Sequence, residues 1–583
     1  MTEFATKEKI KERLWQYATE RWHIDNKSKT FDPIVDLLFG GISHEVEKIY
    51  HTIRESHNQV FDHLTEVLLP DQYLKAKPAH GILMARPVTD SKITKSTIFF
   101  DADDKDQFSY SPAGTYNLIS ADVLYMATGK DVFAISDKCK KDSKFSFQIG
   151  KELAANSFYI AIKPADESSI SAAIYNLYFH VTDPGKVPYD VLPLAQIVHE
   201  EQSLINNKFI QLEEEEDLFI SQLKHLGMED KLDQNTFNYY QPRYIQIDLK
   251  GINTSYNIPV SLASFLTLQS VEQLKSEKCI WLKIELPEIW SNYIKSTTCL
   301  LNCIPVINRK LVEYKESHPE NIVIKPLADQ NQNFLSLHSL SADNKSYSIM
   351  DDEHPTNTDN SPGSFQIVKG GVFSLDERGA STMVNHLLDM VEESGKLDLS
   401  GPKIKIEEAI STLRTANNYV SNNPTLIVKN VQKVFELSLS YWTTPLTVGL
   451  LPKKRDLSTD TPIIIEKKGY LLTDPIGGKQ EPGLAQKLKR LRYGLLSRDR
   501  ICTQEDIISF IRSQFQEFQI NHIELKQTVI KAEESGLTRC WQIKLDVSDT
   551  IIQNPKFKYL IDETELLLNN KSTGVIPIRL QYL

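Results

Sequence analysis

CLLNCIPVINRKLVEYKESHPENIVIKPLAD, residues 299–329, is the stretch on which the fold turns. Leu300–Ile307 is a short run that reads as a strand. Pro305 cannot donate a ladder hydrogen bond, which predicts an edge strand or a bulge. Ile322–Pro326 reads as a further strand. Upstream, Tyr244–Leu249 and Ile280–Leu286, the latter holding Trp281 and followed by Trp290, carry the same signature. A β-rich section therefore begins at Tyr244.

Moving toward the N-terminus, residues 184–233 are polar. The acidic run Glu213–Asp217 near their middle reads as a solvated helix face or a linker. Before them come short runs with β-type alternation at His80–Pro87, Thr97–Asp101, Val123–Met126, Phe145–Ile149, Phe158–Lys163 and Ile174–Thr182, which predict a sandwich or barrel-like domain. Phe158–Lys163 and Ala172–Thr182, joined by the polar loop PADESS, are expected to be neighbours. SPAGTYNL, residues 111–118, reads as a turn in which Gly114 allows a positive φ.

Toward the C-terminus, DDEHPTNTDNSPG (351–363) is the most loop-like stretch, and marks a domain boundary open to protease. Ser381–Ser394 and Ile404–Val420 have helical spacing, and Val434–Thr443 and Leu446–Leu451 read as strands separated near Pro445. In LSRDRICTQEDIISFIRSQF, Thr503 and Asp506 stand three apart, close to a capping box. Ile507, Ile508, Ile511 and Phe515 would form the buried face of the helix that follows. Strands at Val529–Lys531 and Trp541–Asp546 complete a small α+β module. The basic stretch Lys487–Arg500 offers either an electropositive contact or a solvated helix end.

The clearest periodicity lies near the N-terminus. Asp32 and Pro33 suit an N-cap and first helical position, Gly40 and Gly41 would break or bend that helix, and Ser43 could cap a second. Val46, Ile49, Tyr50, Ile53, His57, Val60, Phe61, Leu64, Val67 and Leu68 then recur at steps of three and four. At ~1.5 Å per residue, a helix from Val46 to Leu68 is about 35 Å long. Its stripe fits a core helix within one domain or a bundle shared with a partner.

Composition limits the function classes. With 583 residues, 41% hydrophobic and 25% charged, the chain can build several ordinary globular domains. A net charge of −11 without a compensating basic domain argues against nucleic acid as the main partner. The six cysteines lack the dense spacing of a disulfide framework, so reduced thiols are expected. The opening residues lack the apolar stretch and small-residue cleavage site of a signal peptide, so none is expected, and no apolar run approaches the ~18 residues of a membrane span.

Catalytic signatures fail one by one. DPIGGKQEPG around Gly477–Lys479 has Thr473 where a phosphate-binding loop needs its first glycine and Gln480 where it needs a hydroxyl. No nucleophile elbow, H-E-x-x-H motif or EF-hand loop occurs. Cys279, Cys299 and Cys303 lack the paired knuckles of a zinc site, and buried structural thiols suit them better. His44, His51, His57 and His63 recur at steps of seven and six, not the four that puts two ligands on one helix face. Among 77 acidic residues, a catalytic carboxylate pair could still converge in the fold.

Two spaced segments resemble one family. Leu68, Leu69, Pro70, Tyr73 and Leu74 in HLTEVLLPDQYLKAKP (63–78) form an elbow similar to that of the type VI secretion baseplate subunit family TssF. Asn302, Cys303, Pro305, Val306 and Asn308 match its asparagine-cysteine-x-proline-valine-x-asparagine strand. The SPAG turn resembles a turn of the same family. Arg498, Arg500, Thr503 and Asp506 are similar to a segment of baseplate J-like proteins of contractile phage tails. Lys75, Ala76 and Lys77 depart from the pattern, standing where relatives often place a further proline.

The resemblance implies a structural wedge protein without catalysis or cofactor. Its implied partners are TssG, a second TssF copy, TssK, TssE, the VgrG spike and sheath proteins, with no nucleic acid and no direct membrane insertion. It would be cytoplasmic, reaching the inner membrane only through the assembled baseplate. Partner-interface candidates are Val46, Ile49, Ile53, Val60, Phe61, Leu64, Leu68, Tyr73, Arg498 and Arg500. A wedge subunit of an extracellular contractile injection particle or phage tail would share these features, and a carbohydrate-active enzyme or binding module is the alternative from another class. The expected fold is α+β and multidomain: an N-terminal helical region (1–78), a first β-rich domain (79–205), a linker and second β-rich domain (206–350), a mixed region (364–470) and a C-terminal J-like module (471–583).

Overall fold

The computed structural model describes residues 7–22, 34, 35, 37–47, 49, 76–105, 108–136, 140–165, 174–182, 187–200, 202–207, 209, 232–249, 256–317, 323–324, 332–342, 345–346, 348–349, 364–369, 424–429, 436–445, 456–479, 500–515, 518–532, 536–552, 554–572 and 576–582. The chain is α+β and multidomain. It divides into two compact units, Met1–Leu74 with Glu481–Leu583, and Lys75–Gln480.

A closed antiparallel barrel lies in the larger unit. Its strands are β1 (His80–Pro87), β2 (Phe99–Phe100), β3 (Ser109–Pro112), β4 (Cys303–Asn308), β5 (Asp456–Thr459) and β6 (Ile464–Leu471). They run in the order β1-β4-β3-β2-β5-β6, with β6 closing on β1. Closure leaves no sheet edge to protect. Gly469 on β6 serves this closure, because a Cβ there would come within 3.1 Å of the Met84 carbonyl oxygen and 3.2 Å of Phe99. The barrel takes its strands from three separate stretches of the sequence, residues 80–112, 303–308 and 456–471.

The expected strand Leu300–Ile307 is two strands in two sheets. Thr297–Leu300 pairs with Ile174–Val181 in a four-stranded sheet, whereas β4 belongs to the barrel. Asn302, at φ +58°, turns the chain between them, a conformation that asparagine tolerates better than most side chains. Pro305 is not on a sheet edge, because β4 lies between β1 and β3. Its carbonyl accepts from the Ala113 N–H at 2.9 Å, so its missing donor faces the flank on which β3 has ended at Pro112. Gly114 does not take a positive φ.

A sandwich packs beside the barrel in the same core. Its larger sheet has seven strands, ordered Gln202–Leu204, Gln196–His199, Ile280–Glu285, Ser157–Pro164, Ala121–Thr128, Asp131–Ile135 and Lys141–Ser146. The smaller is Asn206–Asn207, Tyr244–Asp248, Ile174–Val181 and Thr297–Leu300. Ser157–Pro164 and Ile174–Val181 are therefore not neighbours in one sheet, as expected, but lie in different layers. Phe158 meets Phe179 edge-on at 6.3 Å. Alternation explains the arrangement: Phe158, Ile160 and Ile162 join the common core, while Tyr159 and Ala161 face a second core with Trp281, Leu262 and Leu274.

β4 leads through Arg309 into Lys310–Ser317, which pairs with Glu436–Pro445. The latter continues through Pro445 instead of ending at Thr443. Residues 446–451, the loop at 351–363 and the expected helices at 381–394 and 404–420 lie outside the described residues.

In the smaller unit, Lys7–Trp22 and residues 37–47 are helical. The C-terminal module packs the helices Gln504–Gln514 and Pro555–Lys571 with the strands His522–Ala532, Gly536–Asp546 and Ile578–Tyr582. The two expected strands there are parts of one long hairpin, paired from His522↔Asp546 to Ala532↔Gly536. Ile507, Phe510, Ile511 and Phe515 are buried; Ile508 is only half-buried.

Candidate partner-binding surfaces

The N-terminal helical segment runs through both glycines. Ser43 does not cap a helix: its Oγ donates to the Phe39 carbonyl at 2.6 Å, one turn back inside the helix. The described part of this segment leaves Ile34, Leu37, Leu38, Ile42 and Ile49 exposed, Leu37 by 78% and Ile49 by 56%. Steps of three, four and seven put most of them on one side. Val46 is half-buried. Ile53, Val60, Phe61, Leu64, Leu68, Tyr73 and the rest of the elbow lie outside the described residues, as do Arg498, His51, His57 and His63.

Arg500 is exposed just ahead of the C-terminal module's first helix. The capping box expected there is present: Asp506 Oδ2 accepts from the Thr503 N–H at 2.9 Å and the Cys502 N–H at 3.1 Å, and the Asp506 N–H donates to Thr503 Oγ1 at 3.2 Å. Partial burial works against the Asp506 charge, but these donors outweigh it and hold the carboxyl below its ordinary range.

In the larger unit, the motif residues converge. Val306 of β4 pairs with Pro112 of the SPAG turn and Asn308 with Tyr110, although the two motifs stand far apart in sequence. Next to them, the buried Arg309 guanidinium donates to Ser111 Oγ at 2.6 Å and the Pro112 carbonyl at 3.1 Å, stacks 4.2 Å over Trp442, and meets Asp233 Oδ1 at 2.7 Å. That last contact is a close charge pairing and not a well-aligned hydrogen bond. Lys95 holds the other oxygen of Asp233 at 3.3 Å. The cleft beside Asn302, bordered by Tyr116, Phe209 and Cys303, holds about 10 Å³, room for about one water.

No protein-family model matches the chain, and no curated protein matches it. Among solved structures, it is similar to a chain of the type VI secretion system TssK-TssF-TssG baseplate subcomplex determined by cryo-electron microscopy. The two are 11% identical with a TM-score of 0.43, over 94% of this chain and 96% of that one. A chain of the baseplate complex from the type VI secretion system is 13% identical with a TM-score of 0.37, over 97% of this chain and 94% of that one. Both neighbours come from baseplates.

The remaining sequence candidates sort by burial. Cys279, Cys299 and Cys303 are buried, and burial pushes the Cys279 thiol up to about 11 and the Cys299 thiol further, so both stay protonated and unreactive. Among the described residues no group of histidine, cysteine and carboxylate side chains could hold a metal ion. His44 is exposed, and no described helix is long and apolar enough to cross a membrane. Sequence reasoning missed Arg309 and Asp233. Arg309 directly follows the strand motif, but its partner stands too far along the chain for any local pattern to reveal it.

Proposed function

We propose that this protein is a baseplate wedge subunit of a type VI secretion system, of the TssF kind. The observation that carries this reading is the pairing of β4 with the SPAG turn. Two segments that resemble the same family, read independently, form one ladder and share Arg309 as a bridge. The exposed aliphatic side chains of the N-terminal helical segment supply what a subunit of a permanent complex needs, an apolar face without enough polar cover for a solitary life in water.

In this reading the N-terminal helices enter a bundle with TssG and a second TssF copy. TssK, TssE, the VgrG spike and sheath proteins are further contacts. The protein acts in the cytoplasm and meets the inner membrane through the assembled baseplate. Catalysis is not required: rearrangement of wedge interfaces transmits spike engagement to the sheath by shifting a population between two arrangements. Affinity purification of a tagged copy from its native cell, followed by mass spectrometry, tests this. Recovery of TssG-like, TssK-like and sheath-associated proteins is expected. A monomer that retains none of them would overturn it.

A further inference from the structure

Arg243 ends the short helical turn Gln241–Arg243 and is half-buried. Its Cζ stands 5.1 Å from the ring centre of Tyr189, 4.9 Å from Tyr239 and 5.1 Å from Tyr240. The Tyr178 phenol is within hydrogen-bonding reach. Behind the collar, His80 Nδ1 and the Tyr240 hydroxyl are 3.1 Å apart. Burial keeps Tyr178 and Tyr240 protonated, so none of their oxygens supplies a formal negative charge.

Among the described residues no carboxylate pairs with this guanidinium. Arg309, which is more deeply buried, is matched to Asp233. Aromatic faces attract the cation yet cannot accept its in-plane N–H groups, and arginine has five of them. What is left is a planar fork, held among the rings, whose edge meets the Tyr178 phenol but no carboxylate among the described residues. That geometry suits a planar two-oxygen acceptor, and in a chain of net charge −11 a buried-side cation without its anion is the less common case. Asp190, next to Tyr189, is exposed.

We propose that Arg243 and its tyrosine collar form a carboxylate-binding site, filled by an aspartate or glutamate side chain of a partner protein. The collar strips water from the fork before the carboxylate arrives, which lets one ion pair count for more than it would on an open surface. The site does not rest on the baseplate reading, because any acidic partner would satisfy it.

The test uses the full chain and acetate, the side-chain group of aspartate. Sodium acetate replaces sodium chloride at constant ionic strength while the thermal midpoint is followed. A saturable rise is expected in the wild type, and its loss in Arg243→Lys, which keeps the charge but not the fork. Should Arg243→Lys lack a cooperative transition, Tyr239→Leu opens the collar and is expected to weaken the acetate response. Equal midpoints in acetate and chloride, or an undiminished rise in the variant that folds, would overturn the proposal. Repeating the titration on the complex as purified from cells separates the sources: a suppressed response assigns the site to a partner's acidic side chain, and a full response to a free small carboxylate.

Discussion

The carboxamide of Asn302 pairs with the backbone of Ile119 in both directions, Nδ2 donating to its carbonyl at 2.8 Å and Oδ1 accepting from its N–H at 2.9 Å. Nδ2 also reaches the Ala121 carbonyl at 3.0 Å. A side chain thus completes the ladder where the main chain leaves one sheet for the other. Asn302→Ala strands buried backbone groups and strains the positive φ, and should cost about 3 kcal/mol. Asn302→Gly relieves the φ alone and should recover only part of that. Urea unfolding followed by tryptophan fluorescence compares the two; a cost below ~1 kcal/mol for Asn302→Ala would contradict the ladder role.

Arg309 ties β3 and β4 to the Leu232–Tyr240 helix and to Trp442. Removing only the anion, by Asp233→Asn, leaves a buried guanidinium short of its counter-charge and should cost about 3 kcal/mol. Arg309→Met combined with Asp233→Asn should cost less than the sum of the single changes, because the second substitution removes the stranded charge. Additive losses in a double-mutant cycle would show that the two charges are not coupled.

These two sites mark where sequence reading stops. The capping box at Thr503 and Asp506 is legible because both partners lie within one turn, and the β-rich character is legible from alternation. Leu300–Ile307 hides its break because apolar residues continue on both sides of Asn302, and hydrophobicity carries no sign of φ. Ser157–Pro164 and Ile174–Val181 look like neighbours because short connections usually join adjacent strands; here the chain crosses between layers instead. The apolar stripe that begins at Val46 is legible as periodicity, but a period does not say whether the stripe meets its own chain or another's.

Lys141 gives the larger unit a pH signature. Its Nζ donates to the Thr297 carbonyl and, at 3.3 Å, to that of Lys295, tying an outer strand of the seven-stranded sheet to the opposite layer. Burial lowers its pKa from the ordinary 10.5 to about 8. Between about 8 and 10.5 the unfolded chain therefore holds a proton that the folded one has released, so this group makes stability rise with pH across that window and adds nothing to the slope below or above it. The difference between wild type and Lys141→Met in urea midpoint should change over the same window. A constant difference from pH 7 to 10.5 would refute it.

Thr503→Ala removes one half of the capping box and should cost the C-terminal module about 1 kcal/mol, with Thr503→Ser close to neutral. Asp506, its pKa depressed by the donors around it, stabilises the fold above its unfolded pKa, and that contribution is lost as pH falls through the folded value. Asp506→Asn should therefore matter at neutral pH and converge with wild type in acid. Equal destabilisation at both pH values would separate the cap from its charge.

Ile49 tests the proposed interface most cleanly, because it is exposed in the isolated chain. Ile49→Asp should change the thermal stability of the free protein by no more than about 0.5 kcal/mol, as for other surface substitutions. In a bundle shared with a partner, the same aspartate would be an unpaired buried charge, and co-purification with the TssG-like chain should be lost. Leu64→Asp, farther along the same stripe, should have the same effect on assembly. Comparing the two variants by affinity capture and by melting of the free protein separates a partner face from an ordinary core: loss of stability without a specific loss of the partner would place the stripe inside this chain's own domain.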